Sequence, residues 1–170
     1  MSQKIYNTQI LPASDGMFRY ALSIVGEPET AKDIVQDCLV KIWNARQDLN
    51  KVEKVNAWAF RIVRNRAIEV IRKDRFADMD DNVVSMWKTN PVEHEAIAND
   101  FNVWMKQVLS DLPEKQREVF HLREVEDMSY QEIAATCSLT ESDVKVTIHR
   151  ARKKVREAMQ KIESYGIANG

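Results

Sequence analysis

Apolar side chains recur every three or four positions along most of this chain, and that spacing is the feature that most limits its fold. Only four Gly and four Pro interrupt the 170 residues. A helix of 3.6 residues per turn brings such apolar positions to one side, where they can be buried together. The pattern therefore predicts an all-α protein. The clearest stripe consists of Ala31, Ile34, Val35, Cys38, Leu39, Ile42 and Trp43.

The predicted helices fall into two groups. Residues 76–92 between them are rich in Asp, Asn, Ser and Thr, lack a sustained period and include Pro91, which is typical of a linker. The sequence thus predicts two small helical domains, 1–75 and 93–170. Helices are expected from near Ser14, after Pro28 and over about 56–73 in the first domain, and over about 97–112, 113–125, 129–136 and 140–163 in the second.

Charge is distributed unevenly along the chain, although its net charge is only −1. Residues 51–75 contain eight basic and three acidic residues, and residues 140–162 contain seven basic and three acidic residues. Residues 76–100 between them have six acidic residues and one basic residue. A single basic run is often only a solvated helix face. Two such runs, each on a predicted helix with an apolar side, favour a nucleic-acid partner.

Cysteine and histidine positions give no sign of a metal site or of catalysis. Cys38 and Cys137 are far apart and neither belongs to a C-x-x-C pair, while His94, His121 and His149 lack metal-ligand spacing. No Gly-rich phosphate loop is present. We expect no enzyme activity, cofactor, metal or small-molecule substrate. Without a long apolar run or a signal-peptide core, we also expect a cytoplasmic protein that does not insert into a membrane.

Two helix starts close together indicate a helix-turn-helix. Ser129 and Glu132 have the spacing of a capping box, and Thr140 begins a similar cap eleven positions later. The short segment between the two predicted helices suits the turn of this motif. The second helix of a helix-turn-helix lies in the major groove of DNA.

The last predicted helix has an apolar side and a basic side. Val144, Ile148, Ala151 and Val155 are spaced to pack inward. We expect Lys145, His149 and Arg150 to contact bases, and Arg152, Lys154 and Arg156 to contact phosphates. The alternative is a charged helix whose cations merely favour the negative end of the helix dipole. The outward surface consists of Ser142, Lys145, Val146, His149, Arg150 and Lys153.

A second basic strip lies on the third predicted helix. Trp58 and Phe60 are two positions apart and cannot share a face, so at least one is expected in the core and either could stack on a base. The preceding loop, 48–56, has amide side chains that could recognise base edges, or it is a plain connector. The strip contains Arg61, Arg64, Asn65 and Arg72, and the polar loop residues are Asn50, Lys51, Lys54 and Asn56.

Several of these segments resemble the sigma-70 family of bacterial RNA polymerase sigma factors, and in particular its compact extracytoplasmic-function (ECF) type. Residues 31–37 (AKDIVQD) with 41–43 (KIW) resemble its region 2.2, and 57–65 (AWAFRIVRN) resemble the part that melts and reads the −10 element. Three further segments resemble its region 4, which reads the −35 element: 111–120 (DLPEKQREVF), 130–134 (YQEIA) and 144–155 (VKVTIHRARKKV).

The resemblance implies a role for each surface. The polar face of the second helix would dock on the β′ clamp helices of core RNA polymerase, region 4 would touch the β flap, and an anti-sigma factor would regulate the protein. The implied core-binding residues are Asp33, Gln36, Asp37 and Lys41. The implied −10 contacts are Asn50, Lys51, Lys54, Asn56, Trp58, Arg61, Arg64, Asn65 and Arg72. The implied −35 contacts are Ser142, Lys145, Val146, His149, Arg150, Arg152, Lys153 and Arg156.

Two other functions fit parts of the pattern. A free-standing helix-turn-helix regulator, similar to a response regulator, would need only the last two helices and would not bind core polymerase. A sequestered interaction protein would need neither DNA-binding face. An activator has no use for a polar docking face beside a basic strip that could melt DNA, so the sigma-factor interpretation accounts for more of the sequence.

Overall fold

The computed structural model describes residues 1–78 and 100–168, and the predicted all-α class is confirmed over these residues. We call 1–78 the N-terminal half and 100–168 the C-terminal half. The first contains α1 (Ser2–Ile5), α2 (Ser14–Val25), α3 (Pro28–Asn44) and α4 (Val55–Asp78), and the second contains α5 (Asp100–Asp111), α6 (Glu114–Phe120), α7 (Tyr130–Cys137) and α8 (Glu141–Ala168).

The turn between α2 and α3 shows how the sequence sets helix ends. Gly26 stops α2 in the left-handed conformation at φ 76°, which costs glycine little. Pro28 then occupies the first turn of α3, where a missing N–H does no harm. The Glu27 carboxylate caps α3 by accepting from the backbone N–H groups of Glu29, at 3.0 Å, and Thr30, at 2.6 Å. The Thr30 hydroxyl also donates to this carboxylate, and this bond first, followed by the two from the backbone, lowers the pKa of Glu27.

Residues 2–13 are also helical, which the sequence analysis did not predict. α1 continues through a wide helical turn at Tyr6–Ile10 and a tight one at Leu11–Ala13 into α2. Ile10 is fully buried, and the Tyr6 ring meets Trp43 edge to face at 4.9 Å between centroids. Polar residues interrupt the apolar spacing here, so the helix depends on these tertiary contacts rather than on a continuous stripe.

The structure describes only the first three residues of the predicted linker. Residues 76–78 form the last turn of α4, so this helix runs beyond the predicted end near Lys73. Residues 79–99, which include the rest of the predicted linker 76–92 and the start of the stripe at 97, lie outside the described residues. The division into domains at these positions stays a prediction.

The helix-turn-helix in the C-terminal half has the predicted caps. Ser129 Oγ accepts from the Glu132 N–H at 3.1 Å, and the Glu132 carboxylate accepts from the Ser129 N–H at 2.8 Å. Thr140 Oγ1 accepts from the N–H of Asp143 at 3.1 Å at the start of α8. Ser138, at φ 56°, turns the chain between the two helices. Both helix starts therefore lie where the sequence places them.

The halves pack against each other around one hydrophobic core. α4 packs on α2 and α3 of its own half and on α7 of the C-terminal half. The shared core includes Tyr20 and Phe60 from the N-terminal half together with Leu122 and Ile133 from the C-terminal half. A smaller cluster around Leu112, with Ala151 and Val155 of α8, fixes α5 and α6 against α8. No helix of residues 1–78 and 100–168 has the length and apolarity needed to cross a membrane.

The inward side of α8 gives a direct test of this arrangement. Ile148 is 1% exposed and Val146, two residues earlier on the other face, is 48% exposed. We expect Ile148→Ala to lower the free energy of unfolding by about 2–5 kcal/mol because it leaves a cavity. The matched change Val146→Ala should alter it by about 0.5 kcal/mol or less. Urea unfolding measures both, and equal losses would mean that α8 faces the other way.

Candidate nucleic-acid interface

The predicted recognition face on α8 is open to solvent. Val144, Ile148 and Ala151 are buried against the rest of the C-terminal half. On the other side, Val146 supplies an apolar patch among basic and polar groups, which suits contact with a thymine methyl in the major groove. The exposed members of the predicted −35 set are Ser142, Lys145, Val146, His149, Arg150, Lys153 and Arg156.

Arg152 differs from the rest of the predicted −35 set because it has a protein partner. Its guanidinium meets the Glu124 carboxylate at 2.6 Å. The two side chains are 42% and 37% exposed, so this ion pair contributes little to stability in water. Arg152 can therefore exchange Glu124 for a phosphate. Arg152 therefore suits a backbone contact better than a base contact.

The basic strip on α4 is only partly open. Arg61, Asn65 and Arg72 are exposed, as expected for residues opposite the packed side of the helix. Arg64 instead points to the C-terminal half, where its guanidinium donates to Glu118. Three members of the predicted strip are thus free to meet DNA in this arrangement, and the fourth is engaged inside the protein.

The two aromatic side chains at the start of α4 have different surroundings. Phe60 is 4% exposed and its ring packs against Tyr20 at 5.6 Å between centroids. Trp58 is partly buried and packs against the same core. The expectation that at least one of the two belongs to the core is met by Phe60, and Trp58 remains partly exposed.

The predicted loop 48–56 is largely a tight helical turn, Arg46–Lys51, followed by the first residues of α4. Asn50 and Asn56 are exposed. Lys51 pairs with Asp48 at 2.8 Å on the surface, and Lys54 Nζ lies 3.4 Å from Gln131 Oε1 of the C-terminal half. Two amides are thus presented to solvent, while both lysines have partners within the chain.

The predicted polymerase-docking face lies on the exposed side of α3. Asp33, Gln36, Asp37 and Lys41 are all exposed. Asp37 meets Arg66 of α4 only loosely, at 3.5 Å. Val40, which the sequence analysis passed over, is 60% exposed beside them. An exposed apolar residue among charges suits a protein partner, but a single residue is a weak signal in a sequence.

Two carboxylates of the C-terminal half face the N-terminal half, and the sequence analysis missed both. Glu118 accepts from Tyr20 Oη and from Arg64. Glu126 accepts two hydrogen bonds from Arg19, each 3.0 Å long. Burial, followed by the negative charge of Glu118, raises the pKa of Tyr20 well above its ordinary value. Partners separated by 54 to 107 residues leave no periodic signal that could have revealed these pairs.

Family models match both halves. A model described as Sigma-70 region 2 matches residues 14–76, and one described as Sigma-70, region 4 matches residues 102–155. The first match covers α2, α3 and most of α4, and the second covers most of α5, all of α6 and α7, and the first half of α8. The matches follow the order of the family's own regions.

Curated relatives extend over most of the chain. RNA polymerase sigma factor SigV of Bacillus subtilis strain 168 is 26% identical over 155 residues, which cover 91% of this chain and 90% of the relative. From the same organism, RNA polymerase sigma factor YlaC is 28% identical, with 78% and 79% covered, and ECF RNA polymerase sigma factor SigM is 23% identical, with 82% and 86% covered.

Two solved structures share the fold of this chain. The sigma factor RpoE from Bartonella quintana, solved in complex with the anti-sigma factor NepR, superposes with a TM-score of 0.74 at 24% identity, covering 92% of this chain and 98% of that one. CnrH, solved in complex with the cytosolic domain of CnrY, gives a TM-score of 0.66 at 24% identity, with 94% and 90% covered. At this identity the likeness concerns the fold.

His121, beside Glu126 and stacked on Tyr20, makes the contact between the halves sensitive to pH. Burial lowers the pKa of His121 below its ordinary value of 6.5, although Glu126 acts in the opposite direction. The unfolded chain therefore binds this proton more readily, and native stability is lost as the pH falls below about 6.5. We expect His121→Gln to remove this loss in urea unfolding measured across the acid range.

The matched control is His149→Gln, because His149 is exposed on α8. The difference in unfolding free energy between the original chain and His121→Gln should be constant above pH 6.5 and should shift in favour of the variant below it. For His149→Gln the difference should stay constant throughout. The same pH profile for both variants would contradict a buried, neutral His121.

Proposed function

The chain belongs to the sigma-70 family, since models of two of its regions match in the family's order, and we propose that it acts as an ECF sigma factor that brings RNA polymerase to specific promoters. The observation that carries this function is the pairing of a region 2 match with a region 4 match whose capped helix-turn-helix presents an exposed basic helix. A free-standing regulator would need only the second of these.

Transcription from a cognate promoter tests the function. Core RNA polymerase supplemented with the protein should produce a transcript from that promoter, and core polymerase alone should not. Absence of stable binding to core polymerase would overturn the proposal. The result would instead favour a regulator that acts through its helix-turn-helix without the polymerase.

For α8 we propose that the exposed basic face reads the −35 element. Base edges in the major groove offer acceptors to Lys and Arg and a methyl group to Val146. Three residues near the start of the helix, Lys145, His149 and Arg150, are suited to bases because a recognition helix enters the groove with its N-terminal part. Arg152 and Arg156, farther along, are suited to phosphates.

Substitutions on this face distinguish base contacts from phosphate contacts. Arg150→Ala and Lys145→Ala should each weaken binding at the cognate −35 element by about 1–3 kcal/mol, with little effect on a scrambled element. Lys161→Ala, which removes a cation farther along α8, is the control and should leave the preference for the element unchanged. Equal losses on cognate and scrambled DNA would reassign Arg150 and Lys145 to the phosphate backbone.

For the N-terminal half we propose that the start of α4 and the turn before it bind the −10 strand. Asn50 and Asn56 offer amides to base edges, Trp58 offers a face for stacking, and Arg61 with Arg72 can follow phosphates. Arg64 would join them once it is released from Glu118. An extruded base costs a few kcal/mol to unstack, which contacts of this kind must offset.

The exposed face of α3 is proposed as the docking site for the β′ clamp helices. Asp37→Lys should reduce binding to core polymerase, because it reverses a charge in the centre of this face, and should leave the thermal unfolding midpoint nearly unchanged. Glu29→Lys, an exposed reversal near the start of the same helix, is the control for overall charge. A collapse of stability in Asp37→Lys would mean that Asp37 is structural. Co-purification with core polymerase and a thermal melt measure the two effects.

We further propose that the protein works in the cytoplasm, that its C-terminal half touches the β flap of the polymerase, and that an anti-sigma factor regulates it. The anti-sigma proposal is supported by the RpoE structure, in which that sigma factor is bound to the anti-sigma factor NepR. Isolation of the protein from its native host with its bound partners is the direct test.

A further inference from the structure

A residue expected to bind DNA is engaged by a carboxylate of the opposite half. Arg64 Nε lies 2.5 Å from Glu118 Oε1, and a second guanidinium nitrogen lies 3.4 Å from Oε2. The two side chains are 25% and 12% exposed. Two nitrogens of one guanidinium facing two carboxylate oxygens are the arrangement that Arg also uses toward phosphate. In this state Glu118 occupies the donors that Arg64 would offer to the DNA backbone.

A second ion pair crosses the same boundary. Arg19 of α2 donates twice to Glu126, whose side chain is only 6% exposed. This approach depends on Gly16, because a Cβ at that position would lie 2.5 Å from Glu126 Oε2. Gly16 lies in the first turn of α2, and a side chain at this position would force the Glu126 carboxylate to shift from its present place beside α2.

The start of α4 is covered along with Arg64. Thr136 of α7 is fully buried, and its hydroxyl donates to the Glu132 carbonyl at 2.8 Å while its oxygen lies 3.3 Å from the backbone carbonyl of Ala57. Lys54 lies beside Gln131 at 3.4 Å. Both contacts fall within the segment proposed to bind the −10 strand. The C-terminal half thus lies over part of the surface that this strand would need.

We propose that the contacts of Glu118 with Arg64 and Tyr20, together with the Arg19–Glu126 pair, form an intramolecular latch in which Glu118 competes with DNA phosphate for Arg64, so that the halves must separate before α4 can bind the −10 strand. The identity of the competing ligand rests on the proposed function. The latch itself is a property of the free chain. Only the open fraction of the protein binds the strand, so loosening the latch raises the apparent affinity.

The two cysteines provide a native reporter of opening. Cys137 of α7 lies where the halves meet, beside Glu118, Arg64 and Tyr20, and burial raises its pKa to about 12. Cys38 lies in the core of the N-terminal half on α3, and burial raises its pKa to about 11. Separation of the halves should expose Cys137 to an alkylating reagent and leave Cys38 protected. Global unfolding should expose both, because it removes the hydrophobic core in which both are buried.

The test compares alkylation rates of the two cysteines in the free, full-length chain by peptide mass spectrometry. Glu118→Gln removes the carboxylate charge with little change of shape, and Gly16→Ala displaces the Glu126 carboxylate. Each should speed alkylation of Cys137 at least about tenfold without a matching rise at Cys38, since truncating one partner of a partly buried, hydrogen-bonded charge pair has effects of this size. The matched control is Glu114→Gln, an exposed carboxylate on the same helix as Glu118, which should change neither rate.

A second arm measures binding of short single-stranded DNA of random sequence to the same proteins at low ionic strength. Glu118→Gln should bind more tightly than Glu114→Gln, although both lose one negative charge, and saturating DNA should speed alkylation of Cys137 in the unsubstituted chain. Unchanged Cys137 rates in both latch variants, or rates that rise in step with Cys38, would overturn the latch.

Faster Cys137 alkylation with DNA affinity equal to that of Glu114→Gln would overturn the competition for Arg64. Failure of the proposed function is recognised separately, by loss of core-polymerase binding and promoter transcription in the unsubstituted chain. The alkylation rates of the free chain do not depend on either activity.

Discussion

The packing of α6 and α7 onto α2 and α4 is the contact on which the rest of the structure depends. Tyr20 lies at its centre, between the Phe60 ring of its own half and the His121 ring of the other. Tyr20 is fully buried, and its hydroxyl donates to Glu118. A buried hydroxyl without a partner would be costly. The aromatic contact and the carboxylate are therefore coupled, and they fix how the two halves face each other.

This contact separates the charged residues of the protein into two classes. The basic residues on the outer side of α8 and the polar residues of α3 are exposed in the closed arrangement, so they are available to an initial partner. Arg64 and the start of α4 are covered by the C-terminal half. The surface that we propose for the −10 strand is therefore the one that opening must supply.

The sequence predicted elements with local signals and missed those set by distant partners. The capping box at Ser129 and the buried stripe of α8 follow from spacings of three and four residues, and both are present. The helical segment at residues 2–13 and the orientation of Arg64 depend on residues far away in the chain. A basic residue on a predicted helix is assigned to the surface when its partner is unknown. The partner of Arg64, Glu118, is 54 positions away in the chain, so the sequence pattern did not indicate it. The docking of the two halves also depends on contacts between residues far apart in the chain, so no local pattern in the sequence predicted it.

The proposed latch requires that the two halves lie face to face in the free protein and separate when the polymerase and promoter are bound. Energy transfer between a donor on α3, at position 29, and an acceptor on α8, at position 157, measures this separation, since both positions are exposed. We expect high transfer in the free chain and a large decrease when core polymerase and promoter DNA are added. The same transfer efficiency in both states, with binding demonstrated, would contradict it.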